Sequence, residues 1–212
     1  MRRPVIVLGG GGHAKVAIGA LLAAGVPVLG IADTDPSAKG RTVLGVPVLG
    51  GDEAVLAHPP GSVDLVVGVG SVGLPRKRAS LFDEFGKRGY SFASVISPSA
   101  VVGMEVELLE GAQVMAGAVI QPGTRIGRNA IVNTRASVDH DCVIGAHTHI
   151  APGVTLSGSV HVGEGSLVGT GASVIQGIRI GRECLIGAGS VVLRDLPDGT
   201  KAWGVPAREA SR

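Results

Sequence analysis

Counting from Ile96 in steps of six, each position up to Val192 is Ile, Val or Leu without interruption. Neither a helix of period 3.6 nor a flat strand of period 2 yields a strict six. A parallel β-helix does, because each short face of its coil supplies one aliphatic side chain to a narrow core. The residue four places after each aliphatic is mostly small, as at Ala112, Ala130, Cys142, Thr148, Ser166 and Cys184. Gly often follows the aliphatic directly, as at Gly127, Gly145, Gly163 and Gly181, where a corner is expected to need backbone freedom. Aromatic residues make up only 2% of the chain, which suits an interior that admits aliphatic and small side chains alone.

The residues before the repeat alternate differently. Val5–Leu8 is a short apolar run of the kind found in buried parallel strands. It leads into Gly9-Gly10-Gly11-Gly12-His13-Ala14, and a helical pattern then runs to about Ala24. Further strands are expected at Val26–Ile31, Leu65–Val69 and Phe92–Val95, with a helix starting near Leu74. This alternation implies a parallel sheet with right-handed crossovers. The expected division is a Rossmann-like α/β domain over residues 1–95 and a β-helix with a tail over 96–212.

Gly9, Gly11 and Ala14 fit G-x-G-x-x-G/A between a strand and a helix, with Asp33 at the end of the next strand. Glycines let the backbone approach a phosphate, and the helix start offers unpaired N–H groups to it. A dinucleotide fold uses two mononucleotide-binding halves and about six strands. Residues 1–95 have room for three or four, so a nucleoside-diphosphate sugar fits better than NAD. His13, at the helix start, is a candidate phosphate donor; a satisfied cap histidine is the alternative.

A net charge of +2 without Lys/Arg tracts argues against nucleic acid, and Arg76-Lys77-Arg78 reads as a solvated helix start. Cys142 and Cys184 fall on the small inward slot, so they are expected to be buried, reduced and without metal or nucleophilic roles. Met1-Arg2-Arg3 before apolar residues faintly resembles a leader, but the run dissolves into glycines without a cleavage pattern. The uncharged stretch from Val16 to Ala32 is divided by Gly25 and Pro27, so no membrane span is expected and the chain reads as cytoplasmic.

Polar exceptions in a scaffold carry the chemistry. Histidines concentrate at His140, His147, His149 and His161. His147 and His161 are expected to be solvated. His140 lies between Asp139 and Asp141, either of which could raise its basicity and fix its tautomer. Adjacent strand residues point to opposite faces, so contact with Asp141 requires a corner conformation. With three hexapeptides to a coil, His140 stacks over Gly158, whose backbone N–H could face a developing oxyanion.

The Gly-Gly-Gly-Gly-His-Ala-Lys-Val opening, the hexapeptides and the Trp-Gly-Val-Pro-Ala-Arg tail together resemble the nucleotide-sugar acetyltransferases. That family includes bacillosamine-pathway and perosamine N-acetyltransferases and sialic acid O-acetyltransferases. The resemblance covers essentially the whole chain and implies a left-handed β-helix, acetyl-CoA as co-substrate and a homotrimer. It implies that His140 is the catalytic base and Asp141 its acidic partner, a position usually held by Glu. It places His149 near the acetyl thioester, Gly158 as a donor to the thioester oxygen, and Gly187, Gly204, Val205 and Pro206 along coenzyme A. It places Gly10, Gly11, Gly12, His13, Asp33, Asp35, Gly70, Ser71 and Asn133 around the nucleotide sugar. The implied reaction is direct transfer to the 4-amino group of a 4-amino-4,6-dideoxyhexose, with GDP-perosamine favoured and His140 taking a proton.

Three other readings compete. Left-handed β-helices also carry zinc carbonic anhydrases, but a front nucleotide domain has no role there, and no metal is expected. NAD-dependent oxidoreduction rests on the glycine motif alone. A non-catalytic nucleotide-binding solenoid would not need a histidine between carboxylates. Within the acetyltransferases a hydroxyl acceptor would need stronger activation than one histidine, which favours an amine.

Overall fold

The computed structural model describes residues 3–210, so Met1 and Arg2 of the faint leader pattern lie outside the described residues. The front of the chain forms β1 (Val5–Leu8), α1 (Gly12–Ala23), β2 (Val28–Ala32), β3 (Thr42–Val43), β4 (Val46–Gly50), α2 (Asp52–Leu56), β5 (Asp64–Val67) and α3 (Arg76–Lys87). The sheet order is β3-β4-β2-β1-β5, parallel except for the short β3–β4 hairpin. The inner strand β1 is buried along its whole length, as its unbroken apolar run requires. The hairpin and α2 are more than the sequence pattern foresaw, because β3 is only two residues and α2 only five. Phe92 makes an isolated bridge to Leu65 instead of a strand.

From Val95 the chain winds into a left-handed parallel β-helix. Two-residue strands stack into three flat faces of six, six and five strands, the first extended to eight by Lys201–Trp203 and Arg208–Glu209 of the tail. The first face carries Gln113–Val114, Ile131–Val132, His149–Ile150, Leu167–Val168 and Leu185–Ile186; the second carries Ser137–Val138 and Thr155–Leu156; the third carries Val143–Ile144 and His161–Val162. Residues 18 apart pair directly, as Ser137 does with Thr155. From Val114 to Val192 every sixth aliphatic is at most 2% exposed. Ile96 and Val102 are exposed, because no coil lies beneath the first one to cover them.

The corners correct one expectation. Gly127, Gly145, Gly163 and Gly181 are not where the backbone turns left-handed. Positive φ falls three residues after each aliphatic, at every sixth residue from Glu105 (φ 59°) through Asp141 (58°) and His147 (58°) to Gly189 (67°). The other glycines are needed for close approach: a Cβ on Gly145 would lie 2.5 Å from Glu164 N, and one on Gly163 2.5 Å from Gly181 C. Successive coils pass backbone against backbone there, and no larger residue fits.

The front domain packs on the first face. Met115 joins the core beneath α1, and Phe82 of α3 stacks on Phe92 with ring centroids 4.1 Å apart. Arg78, expected in solvent, is 1% exposed. It donates from Nη1 to Val67 O (2.7 Å) and from Nε to Asn129 O (3.0 Å), tying the end of β5 to a corner of the β-helix. His147 is also buried rather than solvated, with Nδ1 2.9 Å from Asn129 Nδ2 and its ring edge-on to Phe82. Cys142 and Cys184 are buried free thiols, and burial pushes Cys142 up to about 11. No helix among the described residues is long and apolar enough to cross a membrane.

Candidate active site

The glycine loop follows β1 because the strand must hand the chain to α1 at the carboxyl edge of the sheet. Gly10 N donates to Asp33 Oδ2 at 2.6 Å, and Asp35 N donates to Asp33 Oδ1 at 2.8 Å. Asp33 therefore braces the glycine loop with one oxygen and the turn after β2 with the other. Asp35 in turn caps the short helical turn Pro36–Ala38 by accepting from Ser37 N, which lowers its pKa, and it does not line the glycines' cavity. A Cβ on Gly11 or Gly12 would meet nothing within 4 Å, so this part of the loop faces open space. Gly11 gives α1 no side-chain cap, and the first turn holds no acid. The helix start thus presents free N–H groups to a cavity of about 290 Å³. Lys77 and Asp52 line the same cavity. Sequence reading missed both: Lys77 was assigned to solvent, and Asp52 belongs to a helix too short to leave a pattern.

His13 lines that cavity, but its ring is engaged on the β-helix. Its Nε2 lies 2.7 Å from Gln113 Oε1 on the β-helix, while Gln113 Nε2 donates to Val67 O. Burial, with the Arg78 charge nearby, lowers His13 to about 4, so it is neutral at pH 7. Gly70 packs behind it, where a Cβ would stand 3.0 Å from the His13 Cβ.

A larger cleft of about 820 Å³ begins at Gly12, His13 and Gly70, which it shares with the glycine-loop cavity. It runs along the first face past Ser71, Asn133 and His149 to Gly187 and Trp203. Ser71 Oγ lies 2.7 Å from His149 Nδ1, and Asn133 Nδ2 lies 3.0 Å from His149 Nε2. Burial lowers His149 to about 4, aided by His13 and Arg78. At the far end Gly187 permits the approach of Trp203, since a Cβ there would be 2.7 Å from Trp203 Cβ. The tail then passes Gly204 (φ 101°), the exposed Val205 and Pro206, pinned by Gly204 N to Ser190 Oγ and Ala207 N to Val191 O.

The remaining group stands elsewhere. His140 and Asp141 occupy the corner between the second and third faces, and His140 Nδ1 lies 2.8 Å from Asp141 Oδ2. The left-handed φ of Asp141 swings its carboxylate back onto the preceding residue, which a flat strand would forbid. Asp139 plays a different part, accepting from the His140 backbone N at 2.9 Å. The imidazole lies over Gly158 one coil on, with Cε1 and Nε2 each 2.5 Å from where a Cβ would be. The carboxylate lies over Gly123 one coil back, where a Cβ would be 2.5 Å from Asp141 Oδ1. Gly123 also escaped sequence reading, which followed the stack in one direction only. The Gly158 N–H meets no acceptor among the described residues. The Asp141 hydrogen bond raises the His140 pKa, reinforced by the charges of Asp139 and Asp141. A carboxylate only accepts, so Nδ1 carries the proton and Nε2 keeps a free lone pair.

Within one chain, His140 lies at the corner beyond the second face, whereas His149 is on the first face and Asn133 at the edge of that face, so the second face separates them. No group of three or more His, Cys, Asp or Glu placed to hold a metal occurs among the described residues.

The profile described as PglD N-terminal domain matches residues 4–85, and that of the bacterial transferase hexapeptide (six repeats) matches 123–158 and 159–194. The chain is 45% identical to perosamine N-acetyltransferase from Caulobacter crescentus, over 99% of this chain and 97% of that one, with a TM-score of 0.92. That enzyme's structures hold CoA and GDP-perosamine, in the native form and in forms with one histidine replaced. The acetyltransferase domain of PglB from Neisseria gonorrhoeae, also solved with acetyl coenzyme A, is 36% identical over 99% and 100% of the two chains, with a TM-score of 0.91. WeeI from Acinetobacter baumannii is 27% identical over 98% and 100%, with a TM-score of 0.84.

Proposed function

The chain belongs to the nucleotide-sugar acetyltransferases with a PglD-type N-terminal domain and a hexapeptide-repeat β-helix, and on that premise we propose that it acetylates the 4-amino group of GDP-perosamine from acetyl-CoA. The observation that carries this reading is the likeness, along the whole chain, to an enzyme acting on that substrate class. The His140–Asp141 pair, set against a glycine with a free N–H, supplies the chemistry.

Gly10, Gly11, Gly12 and the start of α1 hold the diphosphate, and Lys77 offsets part of its charge. The sugar extends into the cleft towards Ser71 and Asn133. The amine attacks the thioester carbonyl, His140 Nε2 takes the proton released from nitrogen, and the Gly158 N–H faces the oxygen that becomes negative. The C–S bond then breaks, and the imidazolium returns its proton to the departing thiolate. Coenzyme A lies past Gly187 and Trp203 along Gly204, Val205 and Pro206.

This chemistry requires a second copy of the chain, because the second face separates His140 from the cleft. In a homotrimer the cleft of one copy meets His140 of the next. Val101, Ile175 and Leu193 support this, being exposed aliphatics on the second face and on the same corner as His140. We place the enzyme in the cytoplasm, in keeping with its free thiols.

The test is coenzyme A release from acetyl-CoA with GDP-, UDP- and dTDP-linked 4-amino-4,6-dideoxy sugars. The fastest turnover is expected with GDP-perosamine. A faster UDP- or dTDP-sugar would move the base preference, and silence across the panel from a folded trimer would overturn the reading.

A further inference from the structure

His149 is a buried histidine with both ring nitrogens engaged inside the protein, and its surroundings fix where its proton sits. Asn133 Oδ1 accepts from Thr134 N at 2.8 Å and from Thr134 Oγ1 at 3.3 Å. Those bonds set the amide orientation, so the end facing His149 Nε2 is the NH₂ group. An NH₂ group only donates, so Nε2 is unprotonated. A neutral imidazole, the form favoured by burial at this site, then carries its proton on Nδ1. That proton is donated to Ser71 Oγ at 2.7 Å. With its oxygen receiving the imidazole N–H, the Ser71 hydroxyl has its own hydrogen left to give.

From this chain of donors we infer that His149 is a positioning residue that makes Ser71 and Asn133 a pair of hydrogen-bond donors for an oxygen of the sugar. The inference rests on the proposed nucleotide-sugar reading for the ligand, but not for the tautomer. Ser71 and Asn133 both line the cleft just beyond Gly12, His13 and Gly70, where it leaves the diphosphate cavity, so the unit of the substrate passing them is the sugar. Ser71 belongs to the front domain and Asn133 to the β-helix, and His149 couples the two. Its own nitrogens are spent inside the protein on Asn133 and Ser71, so it acts through those two residues.

The first readout needs no substrate. In the full-length protein labelled with ¹⁵N in histidine rings, and with the His149 signals assigned by their loss in His149→Gln, long-range ¹H–¹⁵N spectra are expected to show a protonated Nδ1 and a bare Nε2. Asn133→Asp, which places an acceptor opposite Nε2, is expected to put a proton on that nitrogen. A wild-type ring protonated on Nε2, or a pattern unmoved by Asn133→Asp, would overturn the inference even if the enzyme is active. The second readout is kinetic: Ser71→Ala is expected to raise KM for the nucleotide sugar about three- to tenfold, the worth of one neutral hydrogen bond. KM for acetyl-CoA should be unchanged. A rise confined to acetyl-CoA would instead assign Ser71 to the donor substrate and overturn the sugar role.

Discussion

His140 Nδ1 is held 2.8 Å from Asp141 Oδ2, and the same contact leaves Nε2 bare against Gly158. One residue thereby fixes the tautomer and the direction of the other. A positioned general base contributes about 10²- to 10⁴-fold to rate. His140→Ala is expected to lower kcat by about that factor, while affinity for the nucleotide sugar, measured calorimetrically, stays within about twofold. Near-native turnover in this variant would remove His140 from the mechanism.

Because Asp141 raises the His140 pKa, some imidazole is protonated near neutrality and cannot accept a proton. The acid limb of kcat/KM should therefore follow a group titrating above the ordinary histidine value of about 6.5. Asp141→Asn removes the charge that favours imidazolium, so the limb should move to lower pH. The plateau should fall as well, because the base is weaker and less well oriented. A limb that stays in place would separate Asp141 from the titration.

Gly158 is not among the left-handed glycines, so an alanine there strains no backbone, yet its methyl would lie 2.5 Å from the imidazole. The ring is exposed and can swing aside, which spares the fold but breaks its register with Asp141. Gly158→Ala is expected to keep the wild-type thermal midpoint and lower kcat about 100-fold, as misplacement of a reacting group does. The nucleotide-sugar KM should be unaffected. A variant with full activity would show that the imidazole does not work from this position.

The repeat was legible because one aliphatic in six can only serve a coil with three short faces, and the Gly158 stack followed from arithmetic on that coil. The left-handed corners were assigned to the wrong glycines, since close approach and positive φ both select Gly and sequence does not separate them. Asp141 and His147 occupy true corner positions without being Gly. Arg78 was misread for a different reason. A charge beside two exposed basic residues looks solvated, and its burial depends on backbone carbonyls of Val67 and Asn129, which leave no side-chain signature. The hydrogen bonds of His13 with Gln113 and His149 with Ser71 span 100 and 78 residues, and each polar partner alone is unremarkable.

Those two histidines make stability depend on pH. Burial holds both at about 4 in the folded chain against 6.5 in the unfolded one, with Arg78 the neighbouring cation. As pH falls below 6.5 the unfolded chain gains protons that the folded chain refuses, so stability declines until about pH 4. Each histidine withholds up to about 3 kcal/mol over that window. His147, lowered by burial, acts in the same direction, whereas the exposed His140, raised by Asp141, acts weakly in the opposite one. The urea midpoint is therefore expected to fall steadily from pH 7 to 5. In the His13→Gln, His149→Gln double variant the slope should flatten by more than half, even if the variant starts less stable. An equal slope in both proteins would mean that these histidines are solvated or already charged in the folded state.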